Sequence, residues 1–180
     1  MRKTGTVISG LKLWAVACVA SVGLLASSGI DAVAEDVAAR GPVTNLPIPR
    51  YVSMKASEGN VRRGPSLTHR IDWVYKLRDM PLRITAEHGH WRRVEDRDGQ
   101  GGWIHYSLLS GVRTVIVEEQ MLKIYARPDP SSPISAALEK GVVARLGKCD
   151  QTWCQLRSGG YRGWAEKEHL WGVAQAELRD

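Results

Sequence analysis

One pattern is written twice along this chain. Val61, Pro65, Trp91, Trp103 and Leu109 are followed in the same order by Ile124, Pro128, Trp153, Trp164 and Leu170. Proline to first Trp is 26 residues against 25, first to second Trp is 12 against 11, and second Trp to Leu is six in both. A Gly precedes the second Trp of each copy, in Gly102-Trp103 and Gly163-Trp164, and the copies end at Gly111 and Gly172. Such matched spacing at a period near 60 marks a duplicated structural unit. Within each unit the apolar runs are short and separated by turn residues. Pro81-Leu82-Arg83-Ile84-Thr85 and Val142-Val143-Ala144-Arg145-Leu146 read as equivalent strands, and His88-Gly89-His90, Asp98-Gly99-Gln100-Gly101 and Ser158-Gly159-Gly160 read as the turns between strands. The β-branched run Val112–Val117 enters the second unit as its first strand. The pattern is that of two small all-β barrels.

The first copy carries Asn60-Val61-Arg62-Arg63-Gly64-Pro65-Ser66, then Trp91-Arg92-Arg93-Val94, Asp98-Gly99 and Gly102-Trp103-Ile104, leading to Leu108-Leu109. The second carries Ile124-Tyr125-Ala126-Arg127-Pro128, Trp153-Cys154-Gln155-Leu156 and Gly163-Trp164-Ala165, without the Asn before the first strand or the Gly before the proline. Together they resemble the bacterial SH3 domain, across about 120 residues. The resemblance implies a barrel of five or six strands with a short 3₁₀ turn near Tyr106-Ser107-Leu108, and a targeting or ligand-binding role in the cell envelope. The fold class expected is all-β, two tandem SH3-like barrels after a cleaved signal peptide. Residues 1–34 are the signal peptide, 35–50 an extended leader rich in Gly and Pro, 51–111 the first barrel, 112–172 the second and 173–180 a C-terminal tail.

The export reading stands on Arg2, Lys3 and Lys12 ahead of the apolar run Leu13–Leu25, with small residues ending in Ala32-Val33-Ala34. Thirteen apolar residues fall short of the roughly 20 that span a bilayer, so no transmembrane span is expected after cleavage, which is placed after Ala34. Cys18 lacks the upstream leucine of a lipoprotein site. Cleavage leaves Cys149 and Cys154, which in an oxidising compartment are expected to pair across a turn. A zinc site would need two further ligands that no nearby His or Cys pair offers.

Of the 25 basic and 19 acidic residues, three and one lie in 1–34, which leaves 22 against 18. That mild excess sets no partner by itself, and an exported protein is not expected to meet nucleic acid. The first barrel is the more basic, with ten basic and seven acidic residues over 51–111 against ten and nine over 112–180. An anionic partner is therefore expected to be steered to the first. The chain has no Phe, so Trp is expected to do part of the core filling at Trp91, Trp103, Trp153 and Trp164. Trp73 and Trp171 have no counterpart in the other copy. Alternation puts Ile71, Trp73 and Tyr75 on one face, which reads either as packing between the modules or as a ligand shelf, and Trp171 reads as a seal on the barrel end.

Catalytic patterns do not assemble. The five histidines form no H-E-x-x-H pair, His88 and His90 sit at a Gly-containing turn, and Cys154 has its disulfide partner beside it. The aromatic run with which SH3 domains grip proline-rich helices is replaced by Val61-Arg62-Arg63, so no proline-rich peptide is expected. The expectation is a non-catalytic, exported, periplasmic or secreted binding protein with no cofactor and no metal. Peptidoglycan or a wall-associated polymer is the leading ligand and an envelope protein the alternative, with Arg62, Arg63, Trp73 and Arg92 as contact candidates. An envelope enzyme, the third reading, would require perturbed titratable groups meeting in one pocket.

Overall fold

The structure, a computed structural model, describes residues 39–180. The signal peptide, with Cys18 and the cleavage position at Ala34, lies outside the described residues. From Arg50 onward the regular structure is strand, apart from two short 3₁₀ turns. The first copy comprises β1 (Arg50–Met54), β2 (Gly59–Arg62), β3 (Ile71–Tyr75), β4 (Pro81–His88), β5 (Trp91–Glu95), β6 (Gly101–His105), a 3₁₀ turn (Tyr106–Leu108) and β7 (Leu109–Ser110). The second comprises β8 (Thr114–Val117), β9 (Met121–Tyr125), β10 (Ile134–Glu139), β11 (Val143–Cys149), β12 (Trp153–Ser158), β13 (Tyr161–Glu166), a 3₁₀ turn (Lys167–His169) and β14 (Leu170–Trp171). Each copy forms one antiparallel sheet, ordered β3-β2-β6-β5-β4-β1-β7 and β10-β9-β13-β12-β11-β8-β14. Every strand of the second sheet has its counterpart at the same place in the first. The 3₁₀ turn and the early β8 are where the sequence puts them. Among the described residues no helix is long and apolar enough to cross a membrane.

Alternation decides what enters each core. Val61, Leu82, Ile84, Val94 and Ile104 close the first with Met54 and Tyr75, and Val115, Ile124, Leu146, Leu156 and Ala165 lie at the centre of the second. Of the four tryptophans expected to fill these cores, Trp153 is buried, whereas Trp91, Trp103 and Trp164 stay half-buried. Trp91 opens β5 with the opposite parity to Val94, so it stands on the outer face, half-buried, and aliphatic side chains close the interior. Gly163 is needed where β13 passes β9, since a Cβ there would lie 2.9 Å from the Ile124 side chain and 3.0 Å from the Tyr125 carbonyl.

Two chain ends are tied to the barrels through one equivalent pair of positions. In the first barrel, Glu87 and Arg92 face each other across the β4–β5 turn. In the second, Cys149 and Cys154 face each other across the β11–β12 turn and are joined by the expected disulfide. Both pairs are five residues apart. The Glu87 carboxylate, with no exposed side-chain surface, accepts the backbone N–H groups of Val43 (3.0 Å) and Thr44 (2.9 Å), the Thr44 hydroxyl (2.7 Å) and the Arg50 guanidinium (2.6 Å). Residues 39–49, expected as an extended leader, are thus a turn wrapped round a buried carboxylate. A Cβ at Gly41 would collide with that carboxylate.

At the other end, Arg179 exchanges two backbone hydrogen bonds with Cys149, at 2.7 and 3.0 Å. The expected tail, 173–180, therefore folds back on the second barrel. Lys167 is fully buried there, its ammonium donating to the carbonyls of Gln151 (3.2 Å), Gln175 (3.0 Å) and Glu177 (2.7 Å).

The barrels meet through the short connection between β7 and β8. Ser53 Oγ donates to the Val112 carbonyl at 2.8 Å, and Thr114 Oγ1 to the Asp79 carbonyl at 2.7 Å. Arg113 grips the Glu177 carboxylate with bonds of 2.6 and 3.0 Å and places its guanidinium 5.6 Å from the Tyr51 ring centre. Trp171 packs edge-on against Tyr51, with ring centres 5.4 Å apart. It therefore seals the contact between barrels rather than an open barrel end.

Candidate ligand grooves

In the first barrel a concavity of about 290 Å³ opens between the loop of residues 63–70 and the 3₁₀ turn, and its lining includes Trp91, His105, Leu108, Asn60, Arg62 and Leu67. It exists because β5 and β6 present Trp91 and His105 as directly opposed outward residues. The two rings meet edge to face with centres 5.5 Å apart. Leu67, 75 % exposed at the tip of the loop, forms the far wall. Beyond it, Pro65 and His90 extend the groove over the same Trp91 and His105. Imidazoles and a phenol crowd this mouth, with His90, His105 and Tyr106 ring centres 5.0–5.9 Å apart.

The second barrel has a groove at the same place. Its lining includes Met121, Leu122, Lys123, Tyr125, Trp153, Glu166 and His169, in a volume of about 160 Å³. These are, position by position, the counterparts of Glu58, Gly59, Asn60, Arg62, Trp91, His105 and Leu108. The architecture is kept while the chemistry changes. His169 lies 3.4 Å from Glu168, 3.7 Å from Glu119 and 3.9 Å from Glu166, so the rim of this groove is acidic. Among the described residues, Glu166, Glu168 and His169 are the group whose donor atoms lie close enough to hold a metal ion, within 4.8 Å of one another.

The contact candidates read from sequence do not converge. Arg62 lines the first groove, but its guanidinium donates to the carbonyls of Leu67 (3.0 Å) and His69 (2.7 Å) and so holds the loop that makes the wall. Arg63 is in a separate shallow depression beside Trp103, paired with Asp72 at 3.2 Å. Asp72 also binds Arg70 at 2.8 Å, and that hydrogen bond is the main reason its carboxyl sits below the usual range. Arg92 is buried, not presented to a ligand. It donates to the carbonyls of Gly89 (2.9 Å) and Trp91 (2.8 Å) and lies 3.5 Å from Glu87. Trp73 is opposite Val61 on β3, the outermost strand, and remains 45 % exposed, away from the contact between barrels. None of the contacts between the barrels described above involves Trp73. The groove residues Trp91, His105 and Leu67 were not singled out as contacts, although the outward parity of Trp91 relative to Val94 carried the signal.

The model of the bacterial SH3 domain family matches residues 55–111 and 118–172. No curated protein matches the chain. Among solved structures, NlpC2 from Trichomonas vaginalis aligns at 14 % identity with a TM-score of 0.32, covering 68 % of this chain and 48 % of that one. An NlpC/P60 family protein from Bacillus cereus aligns at 10 % identity and a TM-score of 0.29, covering 67 % and 55 %. This chain therefore spans about half the length of these structures. With the family model matching both copies, the chain belongs to the bacterial SH3 domain family as a tandem pair.

Proposed function

We propose that the protein is a non-catalytic, exported binding protein of the cell envelope whose grooves take up peptidoglycan or a wall-associated polymer. The observation that carries this reading is the recurrence of one groove, floored by Trp91 or Trp153, at the same place in both barrels. An indole floor, half-buried at Trp91 and buried at Trp153, with polar groups at the rim suits a ligand with apolar faces and many hydrogen-bonding groups. The Leu67 side chain is largely in solvent, so replacing it tests the groove without disturbing the core. In co-sedimentation with insoluble peptidoglycan at near-physiological salt, Leu67→Glu should weaken binding about tenfold, equivalent to about 1.4 kcal/mol. Equal sedimentation of the variant and the unaltered protein would exclude the first groove as the site.

A specific observation also favours a protein partner. β3 ends its sheet with a free edge and exposes Ile71, Trp73 and Val74, the kind of edge to which another chain can add a strand. On that reading Trp73→Lys, and not Leu67→Glu, abolishes crosslinking to an envelope protein.

A further inference from the structure

Three arginines stand in one line across the outer face of the second barrel. Arg145 on β11 faces Arg157 on β12, and Arg157 faces Arg162 on β13. Directly opposed residues of an antiparallel pair share a face, and all three are exposed. Adjacent strands lie about 4.8 Å apart, so the row is roughly 10 Å long. Among the described residues none of the three enters an ion pair, and the line ends at Thr114, which faces Arg145 and is uncharged. Like charges placed directly opposite one another destabilise a sheet.

The first barrel shows how the same register is satisfied when nothing has to bind there. The counterparts of Arg145, Arg157 and Arg162 are Arg83, Glu95 and Gly101, and Arg83 binds Glu95 at 2.8 Å. The second barrel has a repulsive ladder where the first has an ion pair. One pair beyond Arg157 and Arg162 the hairpin turns through Gly159-Gly160, with φ of 58° and 85°, which places this end of the row at an open hairpin tip. Guanidinium forks match the oxygens of phosphate and carboxylate, and a row of them suits a polymer whose oxyanions are regularly spaced.

We propose that this face of the second barrel binds an anionic glycan, a saccharide chain carrying regularly spaced carboxylate or phosphate groups, with Arg145, Arg157 and Arg162 on successive oxyanions. The site shares no residue with either groove, so it stands apart from the peptidoglycan reading. It also relocates the anionic partner. Arg62, Arg63, Arg70 and Arg92 of the more basic first barrel are engaged internally, whereas among the described residues Arg145, Arg157 and Arg162 enter no ion pair.

Arg157→Glu tests this in the whole protein, because it rebuilds the Arg–Glu pairing of the first barrel. Binding to polygalacturonate at low salt should fall at least about tenfold, while the melting temperature rises by about 2–5 °C. Neutral dextran should not bind, and Leu67→Glu should leave polygalacturonate binding intact. Equal binding by Arg157→Glu and the unaltered protein would overturn the proposal. So would a lower melting temperature in the variant, or binding confined to phosphatidylglycerol vesicles, which would make the face a membrane contact instead.

Discussion

Replacing Glu87 with glutamine should lower the stability of the first barrel by about 3 kcal/mol at pH 7 and remove much of its acid sensitivity. Burial alone would raise the pKa of this carboxyl. The Thr44 hydroxyl and backbone N–H, Arg50 and the Val43 N–H outweigh burial and bring it from an ordinary 4.5 down to about 2. A folded-state pKa below the unfolded one means that the folded barrel binds fewer protons. Its stabilising contribution is complete above about pH 5 and is lost as the pH falls towards 2. A shift of this size corresponds to about 3 kcal/mol across that window. Denaturant unfolding between pH 7 and pH 2 should show that loss in the unaltered protein and a much flatter profile in Glu87→Gln. Parallel profiles would mean that the carboxylate is not the acid-sensitive group. The glutamine variant also leaves Arg50 and Arg92 facing a neutral amide, so amide exchange at Val43 and Thr44 should speed up first.

Lys167→Met should cost about 3 kcal/mol and detach the C-terminal segment before the barrel itself unfolds. Methionine fills a similar volume but donates no hydrogen bond, leaving the carbonyls of Gln151, Gln175 and Glu177 without their shared donor. The segment can recover those bonds only by moving out to water. Hydrogen exchange at the amides of Cys149 and Arg179, which close the bridge to this segment, reads the effect directly. Undiminished protection at both would show that the disulfide turn holds the segment without Lys167.

These two sites show where the sequence was legible and where it was not. Strand order, turns and duplication could be read because they depend on local alternation and on glycines such as Gly163, whose Cβ would meet the neighbouring strand. The disulfide could be read because Cys149 and Cys154 stand five residues apart on either side of a turn, while Cys18 falls in the segment read as a signal peptide. Its counterpart, the Glu87–Arg92 pair, was hidden because its meaning lies in contacts with Thr44 and Val43, more than 40 residues upstream. By its charge Arg92 reads as a surface residue, yet it stands two positions before the core residue Val94 and shares its parity. For Arg92, parity outweighed side-chain type. The tryptophans show the converse. The absence of Phe implied indole cores, but Val, Ile and Leu pack interiors this small, and Trp91 stays outside to floor a groove. Grooves themselves are built from loop and strand residues that meet only in three dimensions, so Leu67 and His105 carried no mark in the sequence.

The short connection through Gly111, Val112 and Arg113, fastened by Ser53, Arg113 and Trp171, joins two grooves that are alike in build and unlike in lining. If both grooves take up one polymer, as proposed, occupation of one leaves the other to search only the stretch of ligand within its reach. A polymer whose repeat matches that reach gains an avidity that can exceed single-groove affinity by about 10²–10⁴, and a fragment too short to bridge gains none. Chain length and spacing thus become properties the protein can measure, apart from the chemistry of any one repeat.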